Sequence, residues 1–343
     1  MTEPEQIPPP ETAPAAGFSI YAPQAVRRTG QTMSLLAVML GVMVVFGWAF
    51  QIEVLKTVLP GYVSMKFNTA LCFILCGGSL LFGYFSRPRP WKRTWSIIIA
   101  ATVAVIASVT LMEYALNLSI GLDNILFKDN PINFDMAHPG RMAPNTAVTF
   151  LLDAIALILL SRGRQGARVA QALSLCGLGV TMLALIGYLF DARIFITFFS
   201  LTRMAVHTIA GFVLVGVGIL CARPNKGLMS TVLADSPGGF LARSLMGPAI
   251  VTPITIGWIA YQGLRLDYYD AGYACSLIVL TSIGVICVLT TRCIRELNRI
   301  ETEHKRLAEA QFQADVRERG VLEASRLKSE FVANVSHEIR TPM

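Results

Sequence analysis

Apolar residues along this chain gather in long blocks rather than recurring at every third or fourth position. Eight blocks approach the roughly 20 helical residues that cross a bilayer core. They lie near 33–50, 67–85, 95–115, 145–161, 169–189, 204–221, 244–263 and 271–291. The fourth is the shortest and carries Asp153; the seventh holds Pro248 and Pro253, which predicts a kinked helix. Residues 1–32 are rich in Pro, Ala, Glu and Thr, bury too little apolar surface to offset chain entropy, and are expected to be disordered. The first block starts too late and runs too long for a cleavable signal peptide. The pattern changes at Arg292, after which charged, helix-favouring residues dominate and no proline appears before Ser336. There Ile300, Leu307, Ala314, Val321, Lys328 and Val335 recur every seven residues, a seam for a marginal coiled coil.

The expected fold is therefore all-α and polytopic. It divides into a disordered segment 1–32, an eight-helix membrane region 33–291, a cytoplasmic signalling helix 292–325 and the start of a further helical domain at 326–343. Composition agrees: 54% of the residues are hydrophobic and 15% charged, against about one quarter charged in soluble domains. The net charge of +7 raises nucleic acid as a partner, but the basic residues are scattered over short loops, so the partner inferred is the lipid bilayer and not nucleic acid. With the amino terminus inside, the inner segments up to Arg243 carry twelve Lys and Arg and the outer ones seven. That bias, with an even helix count, predicts that both termini are cytoplasmic. The seven cysteines lie almost wholly in apolar runs without zinc-ligand spacing and read as small core fillers.

Three helix starts share one line. Met65-Lys66-Phe67-Asn68-Thr69, Met142-Ala143-Pro144-Asn145-Thr146 and Met204-Ala205-Val206-His207-Thr208 each place Met, two spacers, Asn or His, then Thr, with Phe73, Phe150 or Phe212 four further on. The preceding blocks close on Gly47-Trp48, Glu113-Tyr114 and Gly187-Tyr188. The pattern predicts three tandem helical hairpins followed by a divergent helix pair. Asn68, Asn145 and His207 stand where orphan backbone donors of a helix start need partners. With Met65, Met142 and Met204, the histidines His138 and His207 also raise a soft-metal or haem site; packing and helix-start hydrogen bonding are the preferred roles, and no metal or cofactor is assigned. Glu113 and Asp153 are acids within spans, so Glu113 joins Asn68, Asn145 and His207 as a candidate sensory residue. Both acids are expected near helix ends, within reach of the interface. Phrases such as Arg141-Met142-Ala143-Pro144-Asn145-Thr146-Ala147 and Gly263-Leu264-Arg265-Leu266-Asp267-Tyr268-Tyr269-Asp270 resemble a multi-helix membrane-associated sensor region found ahead of bacterial signalling modules. That resemblance implies sensing or anchoring and names no ligand.

The last stretch, Phe331-Val332-Ala333-Asn334-Val335-Ser336-His337-Glu338-Ile339-Arg340-Thr341-Pro342, resembles the H-box of sensor histidine kinases. The resemblance implies that His337 is the phosphoacceptor, that Glu338 is its base and tautomer partner, and that Thr341 helps dephosphorylate a partner. Helical spacing by itself sets only His337 and Thr341 on one face. It further implies a homodimer in a bacterial plasma membrane, a response regulator receiving the phosphoryl group on an aspartate, and ATP with Mg2+ bound by a domain outside these residues. No Asn-box, Gly-rich ATP lid or P-loop is legible, so the chain reads as truncated after the H-box and inactive alone. The alternatives are a membrane scaffold with a vestigial H-box and a small-molecule transporter, the latter weakened because the repeats share one orientation.

Overall fold

The computed structural model describes residues 22–57, 63–87, 89–118, 140–190, 204–234 and 236–339. Their regular structure is all helical. In chain order the helices are α1 (Ala22–Ala49), α2 (Glu53–Lys56), α3 (Phe67–Leu80, prolonged by a π turn Leu81–Phe85), α4 (Pro90–Ala115) and α5 (Pro144–Leu159). There follow α6 (Gly163–Leu189), α7 (Val206–Cys221), α8 (Leu228–Val232), α9 (Pro237–Arg265) and α10 (Ala271–Ile339). Proline opens α4, α5 and α9, where its missing N–H is lost anyway and its fixed φ suits the helix. Ser236 caps α9 by accepting from the Gly239 N–H at 3.2 Å. Helices α1, α4 and α9 end alike: Gln51, Asn117 and Asp267 take positive φ, and the next amide bonds back to Gly47, Glu113 or Gly263.

The chain divides into two compact units after Ile278. In the first, α1 packs on α3 and α7, α4 on α3 and α5, and α6 on α5 and α7. Helices α3, α5 and α7 meet one another at the centre. There Phe73, Phe150 and Phe212 form a closed triad, with centroids 4.8, 5.0 and 4.6 Å apart at tilted or edge-on angles. Gly211 sits against the Phe73 ring, which a Cβ would approach to 2.5 Å. Polar groups within the bundle are tied to neighbouring helices. Ser79 and Ser96 join α3 to α4 at 2.8 Å, and Tyr84 donates to the Leu157 carbonyl at 2.7 Å. Gln171 fixes the turn into α8, donating to the Lys226 carbonyl at 3.1 Å and accepting from the Leu228 N–H at 2.6 Å.

Small residues let α1 and α3 approach closely. A Cβ on Gly41 would stand 2.6 Å from the Ala70 carbonyl oxygen, and one on Gly77 2.7 Å from that of Ser34. Backbone cannot yield as a side chain can. Gly41→Val is therefore expected to cost about 1–3 kcal/mol by overpacking, read as a lower unfolding midpoint of the detergent-solubilised protein; an unchanged midpoint would mean that α1 shifts freely.

Among the described residues, six helices are long and apolar enough to cross a membrane: α1, α3 with its π turn, α4, α6, α9 and α10. Two of the eight apolar blocks form the shorter helices α5 and α7, of 16 residues each. Other expectations shift as well. Helix α1 already begins at Ala22, inside the stretch expected to be disordered; Arg27 and Gln31 of its first turns donate to the Phe85 carbonyl at 2.9 and 3.1 Å, filling an acceptor left at the end of α3. Helix α9 runs on through Pro248 and Pro253. Among the described residues the second unit is the continuation of α10, with no break between the apolar block, the charged connector and the stretch to Ile339.

Candidate functional site

The richest polar chemistry of the first unit lies where α3, α5 and α7 begin. The residue before each start is extended: Lys66 at φ −74, ψ 153, Ala143 at −62, 147 and Ala205 at −62, 146. None of the three provides a side-chain cap. One residue earlier stand Met65, Met142 and Met204, all buried. Their carbonyls are each taken by an aromatic donor from the preceding long helix: Trp48 Nε1 to Met65 at 2.9 Å, Tyr114 Oη to Met142 at 3.2 Å and Tyr188 Oη to Met204 at 2.7 Å. Asn68 and Asn145 accept from the Thr69 and Thr146 amides at 2.8 and 2.9 Å, serving orphan donors as their position suggested. His207 does not. The Lys56 backbone stands beside its buried ring, but neither ring nitrogen meets a partner with hydrogen-bond geometry. The Thr208 amide donates instead to the Ala205 carbonyl at 2.9 Å.

These starts border a partly open cavity of about 20 Å³. Its wall takes in Lys66, Arg141 and the three threonines Thr69, Thr146 and Thr208. Lys66 and Arg141 are only 6% and 4% exposed. Arg141 is held from behind: its Nε lies 3.4 Å from Glu113 Oε2, its Nη2 donates to the Leu118 carbonyl at 2.9 Å, and its guanidinium covers the Tyr114 ring at 5.1 Å. Glu113, 1% exposed, is thus the counter-charge of a wall residue rather than an acid reaching for the interface. His138, the other histidine of the soft-metal reading, lies outside the described residues. Among the described residues no group of three His, Cys, Asp or Glu side chains could hold a metal.

Asp153 also departs from its expected place. It sits in mid-helix on α5 and is 2% exposed, and its Oδ1 has no hydrogen-bond partner. That oxygen faces Gly177 of α6, where an added Cβ would stand 3.6 Å away. Helix α5 extends only to Leu159 and its neighbours enclose it, so the carboxyl group has no short route to an interface.

The run from Phe331 to Ile339 lies on α10. Its backbone is helical through Ile339 and so includes His337 and Glu338; their side chains, and the whole of Thr341, lie outside the described residues. Upstream the same helix is studded with exposed apolar residues, among them Leu307, Phe312, Val321, Leu327 and Phe331. Pairs at i and i+4 support it: Lys305 with Glu301 at 2.9 Å, Arg299 with Glu303 at 3.4 Å and Arg326 with Glu330 at 3.2 Å. The Lys305 ammonium holds the Glu301 carboxyl below its ordinary pKa. The sequence pattern already contained Thr69, Thr146 and Thr208, but their common cavity, and the pairing of Arg141 with Glu113, required the fold. No protein-family model, no curated protein and no solved structure matches the chain.

Proposed function

We propose that this chain belongs to a membrane sensor histidine kinase of a bacterial two-component system. Its helical region senses, α10 transmits, and His337 accepts the γ-phosphoryl group of ATP and passes it to an aspartate of a response regulator. The observation that carries this reading is the His-Glu-Ile-Arg-Thr-Pro run from His337, set at the end of a helix whose first turns are apolar enough to lie in a bilayer. ATP and Mg2+ would be held by a kinase domain that these residues do not resemble.

On this reading the apolar helices cross the membrane eight times. Helices α5 and α7 are short for that: 16 residues rise about 24 Å, against a core of roughly 30 Å. Both lie among α1, α4 and α6, which contact them, and irregular backbone is tolerated at membrane depth where protein encloses it. The pairs α1–α3, α4–α5 and α6–α7 are three copies of one hairpin unit, a view supported by the shared bond from an aromatic to a methionine carbonyl. An even number of crossings and the excess of Lys and Arg in alternate loops set both termini in the cytoplasm. The exposed apolar residues of α10 would be covered by a second copy in a helical dimer.

The test joins the chain to the ATP-binding domain of a histidine kinase in membrane vesicles and supplies ATP labelled at the γ-phosphate. Acid-labile, alkali-stable label on the protein is the expected result. No label, or only acid-stable label on hydroxyl side chains, would overturn the assignment.

A further inference from the structure

We infer that the groove between the first turns of α1 and the π turn that ends α3 binds the headgroup of one anionic phospholipid. The inference rests on the reading that the apolar helices lie in a bilayer, and it stands whether or not His337 is phosphorylated. The groove has a volume of about 230 Å³, room for many water-sized bodies at roughly 10–15 Å³ each. Gln31, Thr32 and Leu35 of α1 line one side, and Leu81, Phe85 and Ser86 the other. The lining is graded along the helix axes. Gln31, Thr32 and Ser86 stand at the end where α1 begins and α3 stops. Leu35 and Leu81 lie about one turn deeper, roughly 5 Å along. A headgroup suits the polar end and the start of an acyl chain the apolar one.

Charge sets the sign of the headgroup. Two cations stand at the polar end. Arg27 Nη2 donates to the Phe85 and Ser86 carbonyls at 2.9 and 3.3 Å, and Lys92 Nζ donates to Ser86 Oγ at 3.1 Å. These partners are neutral, as are the Phe82 and Trp91 rings beside the Lys92 ammonium. Among the described residues no carboxylate pairs with either cation. The bonds hold both side chains in place and leave donors over: Nε and Nη1 of Arg27, and two of the three ammonium hydrogens of Lys92. Between Glu11 and Glu113 the only acid in the sequence is Glu53, which stands beyond the far end of α1. Arg28, Arg87, Arg89 and Arg93, neighbours in sequence, add to the same positive excess.

Depth and shape identify the source of the phosphate. Trp91 and Trp95, 48% and 54% exposed, stand in the first turns of α4, at the same end of the bundle. Tryptophans so exposed on an apolar helix gather at the level of the headgroups, where basic pockets between spanning helices hold anionic lipids. A free phosphate ion would meet the same two cations, but Leu35 and Leu81 offer it nothing. A phosphodiester that carries acyl chains uses both ends of the groove. A zwitterionic headgroup brings a cation of its own to a place that already has two.

The experiment assembles the full chain into nanodiscs of phosphatidylcholine with phosphatidylglycerol as the minor lipid. The protein is then released into a mild non-ionic detergent and weighed with its retained lipid by native mass spectrometry. One phosphatidylglycerol per chain should be retained, in excess of its share in the disc. Arg27→Gln/Lys92→Gln should abolish that excess. Arg87→Gln/Arg89→Gln removes the same charge from exposed positions whose side chains make no bond to the groove, and should leave it. Thr32→Trp fills the groove while both cations stay, so it too should abolish the excess; an effect of charge alone would spare it. Glycerol 3-phosphate added to the detergent should not displace the lipid. The inference is overturned if the two lipids are retained in proportion to their shares, if the Arg87/Arg89 change acts as strongly as the Arg27/Lys92 change, or if Thr32→Trp keeps the excess. Displacement by glycerol 3-phosphate also overturns it, since the groove would then be a site for free phosphate. A chain that enters no disc overturns instead the membrane reading on which the inference rests.

Discussion

Replacing His337 by Gln should abolish acid-labile phosphate in the protein joined to an ATP-binding domain, while His304→Gln should leave the label unchanged. Both histidines lie on α10, so the comparison separates the proposed phosphoacceptor from a mere helical histidine. The chemistry allows no substitute. A neutral imidazole nitrogen attacks the γ-phosphorus, an N–P bond forms as the bond to ADP breaks, and the proton on the other ring nitrogen needs an acceptor. The glutamine amide has no nucleophilic nitrogen. Glu338→Gln tests the acceptor: positioned acid–base groups contribute about 10²–10⁴-fold, so label should appear more slowly by that order and still reside on His337. Thr341→Ala should leave labelling intact and slow the dephosphorylation of the regulator. Persistence of acid-labile label in the His337→Gln protein would move the phosphoacceptor elsewhere.

How much of this was legible in the sequence depended on whether the determinant was local. The starts of α3, α5 and α7 were, because the Met, Asn or His and Thr positions mark a boundary within a few residues of themselves. So were the aromatics closing the preceding blocks, although their hydrogen bonds were not, because Trp48, Tyr114 and Tyr188 bond to carbonyls 16 to 28 residues away. Asp153 shows the limit. It was expected near a helix end although it stands in the middle of its own apolar block, 145–161, and its burial comes from α6 packing against α5, which no local pattern encodes. His207 shows another. It occupies the Asn position of the shared line, and the pattern cannot tell that here the next amide goes to the Ala205 carbonyl and not to the side chain. The three-way contact of Phe73, Phe150 and Phe212 could be suspected from their common offset, but the cavity depends on how three helices converge.

Glu113→Gln should be among the most destabilising single changes in the bundle, at about 3–5 kcal/mol, because breaking a buried pair strands a charge in a medium that solvates it poorly. The charge that loses its carboxylate neighbour is Arg141, whose Nε stands 3.4 Å from Glu113 Oε2. Glutamine keeps the shape and loses the charge, so packing cannot account for the loss. Glu53→Gln is the control. Glu53 also binds a buried cation, Lys56, at 2.6 Å, but its own side chain is 66% exposed; water replaces what the mutation removes, and the cost should stay within about 1 kcal/mol. Arg141→Lys should recover little of the wild-type stability despite its charge, since an ammonium cannot hold Glu113, the Leu118 carbonyl and the Tyr114 face together. Replacing both partners, as Glu113→Leu/Arg141→Met, should cost less than either charge-stranding change alone, because no unpaired charge remains. Denaturant unfolding in nanodiscs gives each value. If Glu113→Gln costs no more than Glu53→Gln, the Arg141–Glu113 pair is solvated and its burial contributes nothing that an exposed pair would not.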